Sequence, residues 1–230
     1  MNILVACEES QRVCTAFREK GHNAFSCDIL PCSGGHPEWH IHGDVLKIMN
    51  PSTYFPYFYD CIRFRTMDGI VREIKGKWDM IIAHPPCTYL TVTGNRWFDV
   101  VKYGYDAQKR WDDRCIAICF LLSFAYADCE RIAIENPVGC MSRLFRKPEQ
   151  IVHPYMFGDP FEKKTCLWLK GLQPLKPMNA VEAPPRKQFE SGRTMPAWYA
   201  DLWHMPKEER AKLRSATFPG FARAMAEQWG

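Results

Sequence analysis

A short apolar run, Trp78 to Ile82, reads as a buried β-strand, and it runs through Ala83-His84 into Pro85-Pro86-Cys87. Pro86 has no N–H to give to a ladder, so the strand must stop there and the chain must leave the sheet. Cys87 is therefore delivered at the strand's C-terminal edge, where open α/β sheets bind their ligands. A second apolar run, Arg131 to Ile134, ends in Glu135-Asn136-Pro137. Two edge loops thus present a thiol and a carboxylate, a pairing that suits a nucleophile with an acid beside it.

Other segments place this pair in a larger α/β plan. Residues 2–7 read as a strand, Gln11 to Lys20 as a helix ended by Gly21, and Asn23 to Cys27 as a strand closed by Asp28. Residues 30–43 read as a loop rich in Pro, Gly and His. Gly43-Asp44-Val45-Leu46 opens the next element, and a helix is expected near 62–75. Residues 104–127 should form the longest helix, 164–169 a strand, 171–197 a mostly extended proline-rich stretch, and 219–229 a closing helix. Strands separated by helices imply βαβ units and a mostly parallel sheet. The expected fold is α/β: a Rossmann-like sandwich over residues 1–170, a small appendage over 171–215, and a C-terminal helix over 216–230 that returns to the sandwich.

The chain has 230 residues, 47% of them apolar, which suits one core of fair size and is too apolar for disorder. It has no apolar run long enough to span a membrane, and no basic leader precedes the first strand. Eleven cysteines, an odd and scattered set, fit free thiols in a reducing cytoplasm better than disulfide staples. Cys115 and Cys119 stand at i,i+4 spacing among apolar residues and are expected in the core. The net charge of +4 is compatible with nucleic acid without demanding it. The basic residues gather in 143–170 (Arg143, Arg146, Lys147, Lys163, Lys164, Lys170) and in 207–214 (Lys207, Arg210, Lys212, Arg214).

The first strand's turn, Cys7-Glu8-Glu9-Ser10-Gln11, contains no glycine. A pyrophosphate needs glycines for close backbone approach, and two glutamates would repel it. Asp28 stands about twenty residues on, where an acid accepts ribose hydroxyls in nucleotide-binding βαβ units. Asp44 could meet an adenine amino group. S-adenosylmethionine, which carries a sulfonium, an amino group, a ribose and an adenine but no phosphate, fits this set. The candidate cofactor residues are Cys7, Glu8, Glu9, Ser10, Asp28, Ile29, Asp44, Val45 and Pro85. The competing role for Glu8 or Glu9 is to complement the N-terminus of the helix that follows.

With these residues in place, the chain resembles the DNA cytosine-5 methyltransferase family. Pro85-Pro86-Cys87 resembles its Pro-Cys nucleophile motif, and Glu135-Asn136-Pro137-Val138-Gly139 its Glu-Asn-Val motif. Asp28 and Gly43-Asp44-Val45 are similar to its ribose- and adenine-binding acids. Gly158-Asp159-Pro160 to Trp168 looks like its basic strand motif, with Lys163 or Lys164 where the family has arginine. Thr217 to Ala226 looks like its last motif. The motifs keep the family's order over most of the chain. The departures are the family's Phe-x-Gly-x-Gly first motif, replaced here by Cys7 to Ser10, and a much reduced target-recognition region. The nearest likeness is to short, phage-type members.

The resemblance implies an S-adenosylmethionine-dependent enzyme acting on DNA, single- or double-stranded, in a bacterial or phage-infected cell. Cys87 would add to carbon 6 of cytosine, Glu135 would protonate N3, Asn136 would fix the loop, and Lys163 or Lys164 would favour the thiolate or hold the base carbonyl. Asn95, Arg96, Trp97 and Arg143 are candidate nucleic-acid contacts; alternatively, Asn95 to Trp97 anchor a loop with Trp97 tucked into the core. Methylation of a base amino group, of RNA or of free nucleotides, and a non-catalytic nucleic-acid binder, are the other readings. Cys32, His36, His40 and His42 form a loose cluster with weak support as a zinc site; no metal is expected. The aromatics Tyr54, Phe55, Tyr57, Phe58 and Tyr59 could stack on single-stranded bases or pack in the core.

Overall fold

The computed structural model describes residues 1–50 and 61–230; the aromatic run of 54–59 lies outside the described residues. The described chain is built on a mixed seven-stranded sheet. Its strands are β1 (Asn2–Ala6), β2 (Asn23–Asp28), β3 (His40–His42), β6 (Met80–Ala83), β7 (Ile132–Pro137), β8 (Gln150–Val152) and β9 (Thr165–Lys170). The spatial order is β3-β2-β1-β6-β7-β9-β8. The first five are parallel, and β9 runs antiparallel to both β7 and β8. The chain order reverses between β1 and β6, which opens a crevice at their C-terminal ends.

Alternation along the strands splits the core into two faces, because successive side chains of a strand point to opposite sides. Leu4 and Ala6 of β1 join Ile81, Ala83, Ile132 and Ile134 on one face, together with Leu121 and Phe124 of helix α3 (Val100–Ala125). Ile3 and Val5 join Met80, Ile82 and Ala133 on the other. There they pack with Val13 and Phe17 of α1 (Arg12–Glu19) and with Phe221, Met225 and Trp229 of α7 (Pro219–Trp229). The result is a helix–sheet–helix sandwich. α3 is interrupted at Gly104, whose φ of 51° and ψ of −126° are not helical.

The expected helix near 62–75 is instead a hairpin of β4 (Cys61–Arg65) and β5 (Val71–Lys75). Ile62, Phe64 and Ile74 are buried while Arg63 and Arg65 face solvent, a period of two that only a strand satisfies. The turn carries Gly69 at φ 85°, and Asp68 accepts hydrogen bonds from the Thr66 hydroxyl (2.6 Å) and the Ile70 N–H (3.1 Å). The hairpin packs Phe64 against Phe25 and Trp78. The loop of 30–43 contains a single 3-10 turn and β3, and a short helix α2 (Leu46–Met49) follows. Cys115 and Cys119, expected in the core, lie on the exposed side of α3; the apolar face of that helix is set by Leu121 and Phe124. All eleven cysteines are free. No helix among the described residues is long and apolar enough to cross a membrane.

After β9 the chain runs extended to a small hairpin, β10 (Arg186–Gln188) with β11 (Thr194–Pro196), and then into helices α5 (Ala197–Asp201) and α6 (Lys207–Ser215). Trp198 fastens this appendage to the sandwich. Its indole N–H donates to the Glu162 carbonyl at 3.0 Å, and its ring meets Phe161 edge-on at 5.3 Å.

β6 stops at Ala83, as its two prolines require, and the His84 N–H makes a last bond to the Ala6 carbonyl at 2.9 Å. β7 runs further than Glu135 and pairs with β9 as far as Pro137. Beyond the sheet, the loop after β6 and the loop after β7 (reaching helix α4, Met141–Leu144) touch through Gly139 and Leu90. A methyl group on Gly139 would sit 2.0 Å from the Leu90 carbonyl oxygen. Gly139→Ala should therefore lower the unfolding free energy by about 1–3 kcal/mol in urea denaturation. A variant as stable as wild type would contradict this contact.

Candidate functional site

The loop after β6 is pinned carbonyl by carbonyl. The Asn136 side-chain amide donates to the Pro85 carbonyl at 2.7 Å. The Leu90 and Thr91 N–H groups donate to the Cys87 carbonyl. Arg110 and Arg114, reaching over from α3, donate to the carbonyls of Thr88 (3.2 Å) and Tyr89 (2.8 Å). The Cys140 N–H donates to the Leu90 carbonyl at 2.8 Å. Asn136 thus ties the loop after β6 to β7. Arg114 is buried against Phe98, 3.5 Å from the ring centroid, and also holds the Asn95 side chain at 2.8 Å.

Within this frame, Cys87, Glu135 and Lys163 act on one another. The Cys87 thiol is partly buried, and burial first, then the Glu135 charge, push it above the ordinary thiol range; Lys163 and Arg214 pull the other way. Burial also pushes the Glu135 carboxyl up, but the Lys163 ammonium and the His84 hydrogen bond outweigh it and hold the group below its usual range. Lys163 is buried beside this carboxylate, whereas Lys164 is exposed. Behind them lies a cavity of about 10 Å³ lined by Glu135, Lys163, Thr165, Thr217 and Phe218, with room for one water. The returning C-terminal segment therefore closes the back of the carboxylate site. The Arg12 guanidinium holds it at the Thr217 carbonyl (2.6 Å), and the Asp159 carboxylate accepts the Gly220 N–H (2.9 Å).

His84 is a member of the site that sequence reasoning passed over as a candidate. Its Nδ1 lies 3.1 Å from Glu135 Oε2, with both side chains only 10% exposed. His84 Nε2 and Asn136 Oδ1 are buried with no hydrogen-bond partner. Buried polar atoms in native proteins are seldom left so, which marks both as places for a ligand or a water. The appendage adds Tyr199 and Arg214. The guanidinium lies 4.6 Å from the Tyr199 ring centroid, and burial, with the Cys87 and Glu135 charges adding to it, raises the phenol against the opposing pull of Arg214.

On the other side of the crevice, the first turn differs from what its charges suggest. Glu8 is buried, and its two carboxylate oxygens accept the N–H groups of Val13 (2.6 Å) and Cys14 (3.1 Å) at the start of α1. It is the helix complement, not a group open to a cofactor. Burial pushes its carboxyl up to about 7 against these bonds and the nearby His84. Glu9 faces the 30–36 loop and accepts the Ser33 hydroxyl, and the Ser10 carbonyl lies against Gly34. Cys7 and Gln11 both take φ 59°, a left-handed turn made without glycine. Gln11 is buried and clamps the loop by bonds to both the N–H and the carbonyl of His36.

Asp28 ends β2 with one oxygen on the Leu30 N–H at 2.9 Å, and burial raises its carboxyl. Ile29 beside it is 75% exposed. Asp44 is exposed and Val45 buried at the end of the neighbouring segment, and Pro85 is buried at the mouth of the crevice. Asp28 and Asp44 both act on the half-buried Cys7 thiol, so the three segment ends meet there. Glu8 already takes the Val13 and Cys14 N–H groups at the start of α1, so this helix end suits a phosphate-free nucleoside better than a dinucleotide.

The nucleic-acid candidates lie apart from the thiol in the chain but on its loop side. Asn95 is tied down by Arg114, while Arg96 lies over the Trp97 ring at 4.7 Å. Trp97 is 43% exposed; the residue tucked into the core is Phe98. Arg143 is exposed on α4. Of the Cys/His cluster, His40 bonds Ser26 (2.8 Å) and the Leu30 carbonyl (3.0 Å), and His42 bonds the Ile29 carbonyl (2.9 Å). Among the described residues, no group of three or more His, Cys, Asp or Glu side chains could hold a metal ion. Comparison with protein-family models and with curated proteins finds no match to this chain.

Iodoacetamide labelling of Cys87, read by peptide mass spectrometry, should be slow at pH 7 and rise with alkali. Lys163→Met removes a cation that favours the thiolate and should move the midpoint up by about 1 unit, and Glu135→Gln removes an anion and should move it down. Shifts of the opposite sign would contradict the arrangement.

Proposed function

We propose that the chain is an S-adenosylmethionine-dependent methyltransferase that methylates carbon 5 of cytosine in DNA through a covalent Cys87 adduct. The observation that carries this reading is the convergence of Cys87, Glu135 and Lys163 on the C-terminal edge of adjacent parallel strands, beside a loop whose Pro85, Thr88, Tyr89 and Leu90 carbonyls are held from outside it. The sheet order, reversing between β1 and β6, fits a Rossmann-like nucleoside crevice next to that edge. Asp28, Ile29, Asp44 and Val45 would hold the ribose and adenine of S-adenosylmethionine, which when bound supplies an electrophilic methyl group.

The chain's own residues do the rest. Carbon 5 of cytosine is a poor nucleophile until a thiolate adds at carbon 6 and makes the ring enamine-like. Cys87 supplies that thiolate, and Lys163 and Arg214 favour its charge. Glu135 gives a proton to N3 as the Cys87 sulfur–carbon bond forms. Asn136 keeps the two loops in register, so the sulfur and the carboxyl hold a fixed separation. A base in a duplex must be flipped out first, at a cost of a few kcal/mol. Arg96, Trp97 and Arg143 would hold the strand.

The test is incubation with S-adenosylmethionine and unmethylated DNA, followed by nucleoside mass spectrometry. The reading expects 5-methylcytosine from wild type and a loss of at least about 100-fold from Cys87→Ser. A methylated amino group, or an active Cys87→Ser, would overturn it.

A further inference from the structure

The cytosine reading asks Glu135 to give up a proton, yet Lys163 and His84 keep that carboxyl ionised. A proton source has to stand behind it. His84 is in place: Nδ1 is 3.1 Å from Glu135 Oε2, at a position where both side chains are nearly sealed from water. The last β6–β1 backbone bond, His84 N–H to the Ala6 carbonyl, fixes where the ring starts. Contrast with His40 is instructive. Both ring nitrogens of His40 are spent on the fold, on Ser26 and on the Leu30 carbonyl. His84 spends one on Glu135 and leaves Nε2 buried and unbonded. The charged groups acting on the pair are Glu8 from the β1–α1 turn and Lys163 from the segment before β9, with Cys87 on the loop of His84 itself.

We infer that His84 and Glu135 form one proton-carrying pair, in which the Nδ1 proton of a His84 imidazolium passes to Glu135 as Glu135 protonates N3 of the base. This inference rests on the cytosine reading of the site. The balance is simple. The Cys87 thiol first gives its proton to water, the thiolate pair forms the sulfur–carbon 6 bond, and the ring electrons it displaces come to rest on N3. The ionised Glu135 takes the Nδ1 proton and delivers it to N3, so Glu135 ends ionised as it began and His84 ends neutral. When Cys87 leaves, water takes the carbon 5 proton, the electrons of that C–H bond restore the 5,6 double bond, and the N3 proton travels back to His84 by the same route. His84 touches no reacting atom and is a positioning residue that also feeds Glu135.

Two measurements on the intact protein test it. The first follows the His84 imidazole by ¹⁵N NMR across pH, assigned against His84→Asn. The pair requires Glu135→Gln to move the His84 Nδ1 resonance, because the 3.1 Å contact with the carboxylate is lost; an unmoved Nδ1 resonance overturns it. The second is single-turnover methyl transfer with His84→Asn and His84→Ala. Asparagine can donate a hydrogen bond to Glu135 but cannot release the proton. The pair predicts that both variants slow transfer by about 100-fold or more while DNA and cofactor still bind. Rescue of the rate by His84→Asn would reduce His84 to a brace and overturn the relay. If wild type modifies no cytosine at all, the cytosine reading falls, and the NMR coupling alone decides whether the pair exists.

Discussion

The stretch from Pro85 to Leu90 cannot satisfy itself. Two prolines remove N–H donors from it, and its carbonyls at Pro85, Cys87, Thr88, Tyr89 and Leu90 need partners. The Cys87 carbonyl is met within the loop; Asn136 of β7, Cys140 after it, and Arg110 and Arg114 on α3 meet the other four. Each such bond contributes only about 1 kcal/mol net, but a carbonyl left buried without its partner costs about 1–3 kcal/mol. The Cys87 loop therefore adopts this shape only when β7 and α3 are already packed beside it. Folding and site assembly are one event, and the thiol's position is set before any ligand arrives.

A second constraint shapes the other half of the crevice. Glu8 spends its carboxylate on the first N–H groups of α1, so the helix end that usually greets phosphate is closed from within. The chain still makes the sharp left-handed turn that glycine would make, with Cys7 and Gln11 at φ 59°. Such residues cost of order 1–3 kcal/mol each, offset here by the Gln11 clamp on His36. What is left open at the strand ends is Asp28, the exposed Ile29 and Asp44, the surface to which the proposed function assigns the nucleoside.

Much of this was legible beforehand because prolines and strand alternation leave little freedom. Pro85-Pro86 announced the end of β6, and Asp28, Glu135 and the C-terminal helix fell where the apolar runs put them. The 61–75 hairpin was missed because arginines between Ile62, Phe64 and Ile74 read equally as a helix surface; only the burial of Phe64 against Phe25 and Trp78 decides for strands. Cys115 and Cys119 were misplaced because spacing shows a shared helix face but not which way it turns. The choice between Lys163 and Lys164 could not be made without the pleat of β9. His84 had a signal that went unused. Ala83 pairs with Ile134 in parallel register, so the next residues, His84 and Glu135, fall side by side at the sheet edge.

The most direct test of a covalent Cys87 mechanism uses DNA in which cytosine is replaced by 5-fluorocytosine, incubated with the full chain and S-adenosylmethionine. Fluorine on carbon 5 cannot leave as a proton does, so an adduct that forms cannot resolve. The account predicts a denaturation-resistant protein–DNA complex, with mass spectrometry placing the nucleotide on Cys87. Methyl transfer without a trapped complex, or a complex through another cysteine, would contradict it.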